Sequence, residues 1–272
     1  MTNISIDELI ASQRAEFDRA DRFSGAAEVL HFFVLWFSVL VVNIGNDTYR
    51  YLFTFLTLFF VVAIFYLTNK SKDMHLNAER LRRAVVSISG LGFKIEASTL
   101  RDILANLTTA KQGPETAGYY ASTEPVGIIR QGELTEQSAF WTANLAKATA
   151  RHYWLFLVFF LVCTAALVLF ISYTTSFKNE LAQLLCVLCS WIVTSSILTS
   201  ALNFSRLANS AKVIEKGLSQ NTKPSEIQLF VSDYDVLVSN MPTIPTRIYK
   251  RKEKGLNAIW EATRKVQAAE PV

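Results

Sequence analysis

The sequence predicts an all-α integral membrane protein with four transmembrane helices in two hairpins and a helical cytoplasmic domain. Three observations point there. First, 51% of the 272 residues are hydrophobic and only 18% are charged, against the roughly 25% charged usual for soluble domains. Second, the deficit is concentrated in four windows almost free of charge: Val29–Ile44, Tyr51–Thr68, Tyr153–Ser172 and Leu181–Asn203. Each runs about 16 to 23 residues, where a spanning helix needs about 17–25. The shortest, the first, can extend through Ala26 and Ala27. Third, no stretch reads convincingly as a strand.

The connections set the topology. Gly45–Arg50 joins the first two windows and Thr174–Glu180 the last two. Both are short, so each pair reads as a tight hairpin. Lysine and arginine orient them. The amino end (1–26) holds three, the middle segment (69–152) eleven and the tail (203–272) eleven, while each hairpin loop holds one, Arg50 and Lys178. Both termini and the middle segment are therefore expected to be cytoplasmic. The segments follow: 1–26, an N-terminal amphipathic helix; 27–68, the first hairpin; 69–152, a cytoplasmic helical segment; 153–203, the second hairpin; 204–272, a C-terminal cytoplasmic helical segment. The two halves share a plan, but residue similarity between them is too weak to prove duplication.

No cleavable signal peptide is expected, because the first apolar run follows polar residues and lacks a small-residue cleavage site. Ser5-Ile6-Asp7-Glu8 reads as a capping box, with Ile4 and Leu9 placed for a hydrophobic staple. Ile6, Leu9, Ile10, Gln13 and Phe17 follow at helical spacing. That helix lies on the membrane, packs on a partner subunit, or packs on the chain's own cytoplasmic helices.

The cytoplasmic helices are read from periodicity and breakers. Helix continues beyond the second span through Asn77–Ala84 and stops at Gly90 and Gly92. Another runs over 98–107, and Lys111–Gly127 is loop. Gly132–His152 is helical and leads into the third span. The fourth span continues as helix to about Leu218, Pro224–Val238 is a further helix, Met241–Pro245 a rigid turn, and 247–265 a last helix.

Little asks for catalysis, and the chain is read as no enzyme. His31, His75 and His152 are not at metal-ligand spacing with one another or with cysteine, and phosphate-loop, zinc-protease and serine-hydrolase motifs are missing. Neither a metal nor a cofactor is expected. Cys163, Cys186 and Cys189 all fall in spans and read as small apolar residues, the Cys186/Cys189 spacing notwithstanding. Asp233 and Asp235 flank Tyr234 and read as a solvated face.

Basic and aromatic residues are more informative. Arg247-Ile248-Tyr249-Lys250-Arg251-Lys252-Glu253-Lys254 has five basic residues in eight. Arg80, Arg82 and Arg83 form a second cluster, and Tyr119-Tyr120 and Arg130 follow. Such groups neutralise phosphates and stack bases, or bind anionic lipid head groups, or solvate a helix; the sequence leaves all three open. The fourth window is the most polar. Gln183, Ser190 and Thr194 share one face, and Ser196, Thr199, Ser200 and Asn203 gather on another. Either small hydroxyl residues let helices approach closely, or these faces line a pore between subunits. Asp47 and Glu180 would sit at its outer mouth.

Two stretches carry a resemblance. One is Glu136-Gln137-Ser138-Ala139-Phe140-Trp141, continuing through Asn144, Leu145, Lys147 and Arg151 to Tyr153. The other is Ile227-Gln228 with Pro242-Thr243-Ile244-Pro245-Thr246-Arg247-Ile248-Tyr249-Lys250. Together they resemble the four-transmembrane effectors of bacterial anti-phage nucleotide-signalling systems: the S-4TM-like effectors of CBASS, or a sister group such as the Hailong-type channel effectors. The chain departs from that pattern in its short middle segment and at Thr142, where an acidic residue is usual. The resemblance implies a homo-oligomeric channel, with a tetramer expected, in the bacterial inner membrane. It also implies a partner nucleotidyltransferase and control by a cyclic or linear oligonucleotide. Mapped on this sequence, Arg80, Arg83, Arg130, Lys250 and Arg251 hold phosphates, Tyr119, Tyr120 and Tyr249 stack bases, and the polar residues of the fourth span line the pore. Release of the channel permeabilises the membrane and arrests growth. The rival reading is a membrane scaffold or regulatory subunit without a pore; an enzyme of lipid metabolism is a third.

Overall fold

The computed structural model describes residues 6–44, 46–93, 122–174, 180–220 and 223–269; the side chains of 164, 167–193 and 265–269 are among those outside the description. Among the described residues the regular structure is α-helical throughout. The helices are α1 (Ile6–Asn43), α2 (Asp47–Leu91), α3 (Ile128–Thr174), α4 (Glu180–Gln220), α5 (Pro224–Ser239) and α6 (Thr246–Ala269). The all-α expectation holds. The helix and loop predicted within 94–121 lie outside the described residues, as does the capping box at its Ser5 end.

One boundary differs. The amphipathic helix of the amino end does not stop at residue 26, because α1 runs unbroken for 38 residues. Gly25 has open space around it and costs only about 1 kcal/mol of helix propensity, too little to break a helix packed along both halves. Elsewhere the breakers act as read. Gly92, at φ +70, takes the left-handed conformation that ends α2. Pro224 opens α5 as an N-terminal proline.

The chain divides into two compact units. One comprises Met1–Asp21, Lys72–Thr149 and Phe204–Val272, and the other Arg22–Ser71 and Ala150–Asn203. The second unit holds the apolar stretches. Two described helices, not the four that the charge-free windows predict, are long and apolar enough to cross a membrane: α2 and α3 as far as Cys163. The first window is short for a crossing, and much of the fourth (181–203) has side chains outside the description. Only 6% of α2's most apolar stretch is buried. Phe55, Leu58, Phe59, Val62 and Phe65 accordingly face outward, unlike the core helix of a water-soluble domain. Within this unit α1 and α2 pair through Phe37, whose ring stacks on Phe53 at 5.3 Å and Phe60 at 5.6 Å. Leu157 and Phe160 of α3 pack with Ile197 of α4, and the Tyr153 hydroxyl donates to the Glu28 carboxylate. Asn46 caps α2 by accepting the Thr48 N–H at 2.9 Å, and Arg50 reaches back to Asp47 and to the Ile44 carbonyl.

The first unit is built around the amino-terminal half of α3. One of its faces enters a cluster with α4 and α5: Ala139 with Ile214, Leu218, Ile227, Val231, Tyr234 and Val238. Another meets α6: Phe140 and Leu145 with Ile248, Leu256 and Trp260. Close approach depends on small residues. A Cβ at Gly90 would lie 2.8 Å from Gln131, and one at Gly217 would lie 2.4 Å from the Phe230 ring. Two α1 carboxylates hold the start of α6: Asp21 accepts the Thr246 N–H at 3.1 Å and Asp18 its hydroxyl at 3.0 Å. This satisfies an orphan amide and places negative charge at a helix amino terminus. Gly217→Ala is expected to overpack the α4–α5 contact and lower stability by about 1–3 kcal/mol, read as a reduced melting midpoint by circular dichroism in detergent.

Candidate functional site

A cavity of about 610 Å³ opens within the first unit, inside the range of about 300–1,000 Å³ that suits small-molecule sites. Residues of α1, α2, α3, α4, α5 and α6 line it. One wall is aromatic. Trp141 of α3 and Tyr249 of α6 stack with centroids 5.5 Å apart and planes 28° from parallel. Lys250, the next residue on α6, also lines the cavity and is exposed. Gln13, Gln137 and Asn257 bring amides, and Phe17 and His75 a further ring pair at 5.6 Å.

The charges are sorted by partner. Arg82 is 6% exposed; it donates to Glu79 at 2.7 Å and to Asp235 at 2.6 Å. Its guanidinium lies 4.8 Å from the centroid of the Tyr234 ring. The Tyr234 hydroxyl shares a hydrogen bond with Thr142 at 2.8 Å. Burial, partly opposed by the nearby Arg82 charge, pushes that phenol up to about 12, so it stays protonated. Arg82, Tyr234 and Thr142 thus tie α2, α5 and α3 together as wall rather than as ligand groups. Asp235 is not simply solvated as the sequence reading had it: Arg82 claims it, because a buried guanidinium needs a counter-charge. Asp233, two residues earlier, is exposed.

The sequence-predicted residues separate accordingly. Tyr249 and Lys250 line the cavity. Arg83 instead donates to the Asp235 carbonyl and the Ser239 hydroxyl. Arg130 donates to the Glu124 carbonyl at 3.1 Å, fastening the turn before α3. Arg80 and Arg251 are exposed and do not line the cavity. Tyr119 and Tyr120 lie outside the described residues. Of the polar residues of the fourth window, Thr194, Ser200 and Asn203 are half-buried and Ser196 and Thr199 exposed; the side chains of Gln183 and Ser190 lie outside the description. Cys163 is a free, exposed thiol, and Cys186 and Cys189 fall outside the described side chains. Among the described residues no group of three or more His, Cys, Asp or Glu is placed to hold a metal.

Sequence reasoning passed over Gln13, Phe17, His75 and Gln137 as site residues. A signal was present for Gln13: it occupies an apolar-stripe position of α1, where an amide needs a reason. His75 carried no such mark, since its neighbours come from α1 and α5. No family model, no curated protein and no solved structure matches this chain.

Tyr234→Phe is expected to lower stability by about 1 kcal/mol near neutral pH by leaving Thr142 unpaired. The raised phenol pKa means that folding favours the protonated ring. Its contribution is intact below about pH 10 and is lost as pH rises toward about 12. Denaturant titrations at several alkaline pH values should therefore show a shallower decline for Tyr234→Phe than for the parent.

Proposed function

We propose that this chain is a pore-forming membrane effector of bacterial anti-phage defence, gated by a nucleotide or oligonucleotide bound in the cavity of its first unit. One observation carries the reading. The two stretches that resemble the four-transmembrane effectors lie about a hundred residues apart in the sequence, yet both line one cavity. Gln137, Ser138 and Trp141 come from the first stretch, and Pro242, Ile244, Thr246, Tyr249 and Lys250 from the second. A stacked aromatic pair, flanking amides and a cation at the edge are the chemistry that holds a base and its phosphate.

We take α1 and α4 to cross as well as α2 and α3, giving four crossings. Met1–Asp21 and Lys72–Thr149 belong to one compact unit, as does Phe204–Val272. The return of the chain to this unit at Phe204 supports α4 as a crossing in the opposite direction to α3. By the same parity α1 crosses with α2, despite its short apolar stretch. Exposed Tyr49 and Tyr51 at one end of α2's apolar stretch, and Tyr66 at the other, match the aromatic girdles of membrane helices. On this reading the first unit and both termini are cytoplasmic, which the basic segments support, and the membrane is the bacterial inner membrane that the resemblance implies. A homo-oligomer, taken as a tetramer, encloses the ion path, with hydroxyl faces of α4 such as Thr194 and Ser200 lining it. A partner nucleotidyltransferase supplies the signal, whose binding changes the conductance.

Lys250→Glu is expected to weaken binding of short 5′-phosphorylated oligonucleotides by about tenfold or more, or about 1.4 kcal/mol. Arg251→Glu, one residue on but outside the cavity, should change it less than about threefold. Titration calorimetry of the full chain in detergent reads both; equal losses would place the binding on the general basic face of α6 instead. For topology, a cysteine introduced at Asn46 should react with an impermeant maleimide added outside spheroplasts, and one at Asn257 should not.

A further inference from the structure

Five of the eight residues from Arg247 to Lys254 are basic, and the cavity uses one of them, Lys250. Helix geometry sorts the others. α6 buries Ile248, Leu256 and Trp260 in the cluster with Phe140 and Leu145 of α3. Arg247, Arg251 and Lys254 stand at i, i+4 and i+7, which puts them on one face, and all three are exposed. Lys252 is exposed beside them. The one carboxylate of the stretch, Glu253, lines the cavity, where it accepts from the Tyr249 hydroxyl at 3.4 Å. Arg251, Lys252 and Lys254 form no ion pair among the described residues. A Cβ at Gly255 would meet nothing within 4 Å, so the helix is uncovered beside Lys254 too.

Water alone suits such a face; what singles this one out is where α6 is fastened. Its first residue, Thr246, is held by Asp18 and Asp21 of α1. α1 runs on without a break, and its charge-free window opens at Val29. Val29 is eight residues beyond Asp21, or about 12 Å of helix rise. A headgroup layer is about 5–8 Å thick, and charges act across about 8 Å in physiological salt. Where α1 crosses, as proposed above, the start of α6 therefore lies within electrostatic reach of the headgroups on its own side. A cluster of Lys and Arg at that depth, its one carboxylate engaged elsewhere, is complementary to an anionic lipid surface.

We propose that the outer face of α6, at Arg247, Arg251 and Lys254, docks on anionic lipid headgroups. The level of the membrane on α1 rests on the crossing reading above; the exposure and charge of the face do not. The lipid then holds the same helix that carries Tyr249 and Lys250 into the cavity.

The test reconstitutes the full chain in nanodiscs of phosphatidylcholine alone, or with roughly one third phosphatidylglycerol as the anionic lipid. Lysines are acylated with N-hydroxysuccinimide acetate, and mass spectrometry reads the rate at each. Lys254 is expected to react about fivefold or more slowly in the anionic discs at low salt, and to recover at about 1 M salt, where the Debye length is about 3 Å. Lys223, exposed at the start of α5, should change less than about twofold. Arg251→Glu should remove most of the protection of Lys254; if that variant does not fold, the parent's lipid and salt dependence decides. Equal rates at Lys254 in both discs, a loss at Lys223 as large as at Lys254, or protection that survives in folded Arg251→Glu overturns the proposal. So does protection of Lys254 by single-stranded DNA in neutral discs with none from phosphatidylglycerol, which assigns the face to nucleic acid instead. Oligonucleotide titrations in detergent, free of anionic lipid, report on the cavity separately. Binding there with Lys254 unprotected in anionic discs leaves the nucleotide reading standing and removes this one. Protection of Lys254 without oligonucleotide binding does the reverse.

Discussion

The buried guanidinium of Arg82 is the constraint on which the first unit depends. It sits on α2, bonds Glu79 of the same helix and Asp235 of α5, and lies over the ring of Tyr234. Through the Tyr234 hydroxyl it reaches Thr142 on α3. Removing Arg82 would strand the buried Glu79 carboxylate in a low-dielectric interior, which costs about 3–5 kcal/mol. α2, α3 and α5 are thereby fixed in mutual register, and the α3–α6 contact at Phe140, Leu145 and Trp260 adds the next helix. At the far edge of that contact Arg264 bonds Glu133 at 2.8 Å, an ion pair that also raises the arginine's already high pKa.

The cavity is what these helices leave between them. Its wall separates two kinds of charge. Arg82 is neutralised by carboxylates and serves the fold. Lys250 has no ion-pair partner among the described residues, is exposed and lines the cavity. Asp18 and Glu253 are engaged as well, with Thr246 and Tyr249 respectively. The lining therefore offers an aromatic surface, several amides and charges of both signs: Arg14, Arg82 and Lys250 with Asp18, Glu79 and Glu253.

Much of the fold was legible because helices announce themselves by period and breaker. Gly92 ends α2 and Pro224 begins α5 where sequence chemistry places them. α1 runs unbroken through residue 26, where polarity changes and the sequence reading divides its segments, because helix geometry does not follow polarity. The site was only half legible. Tyr249 and Lys250 stood out as an aromatic beside a basic run. Arg83 and Arg130 stood out equally but are spent on Ser239 and on the Glu124 carbonyl. A sequence cannot show which arginine meets a carboxylate or carbonyl across 150 residues. His75 was silent because its partners, Phe17 and the Val238 carbonyl, come from distant parts of the chain.

The most direct test of the central claim is ion flux. Purified full-length chain is reconstituted in liposomes loaded with an ion-sensitive dye, and cyclic and linear tri- and tetranucleotides are added one at a time. The expected result is a flux that at least one of them switches, up or down, with the switch lost in Lys250→Glu. Liposomes that never leak under any condition, or that leak identically with every nucleotide and in the Lys250→Glu variant, would contradict a ligand-gated pore.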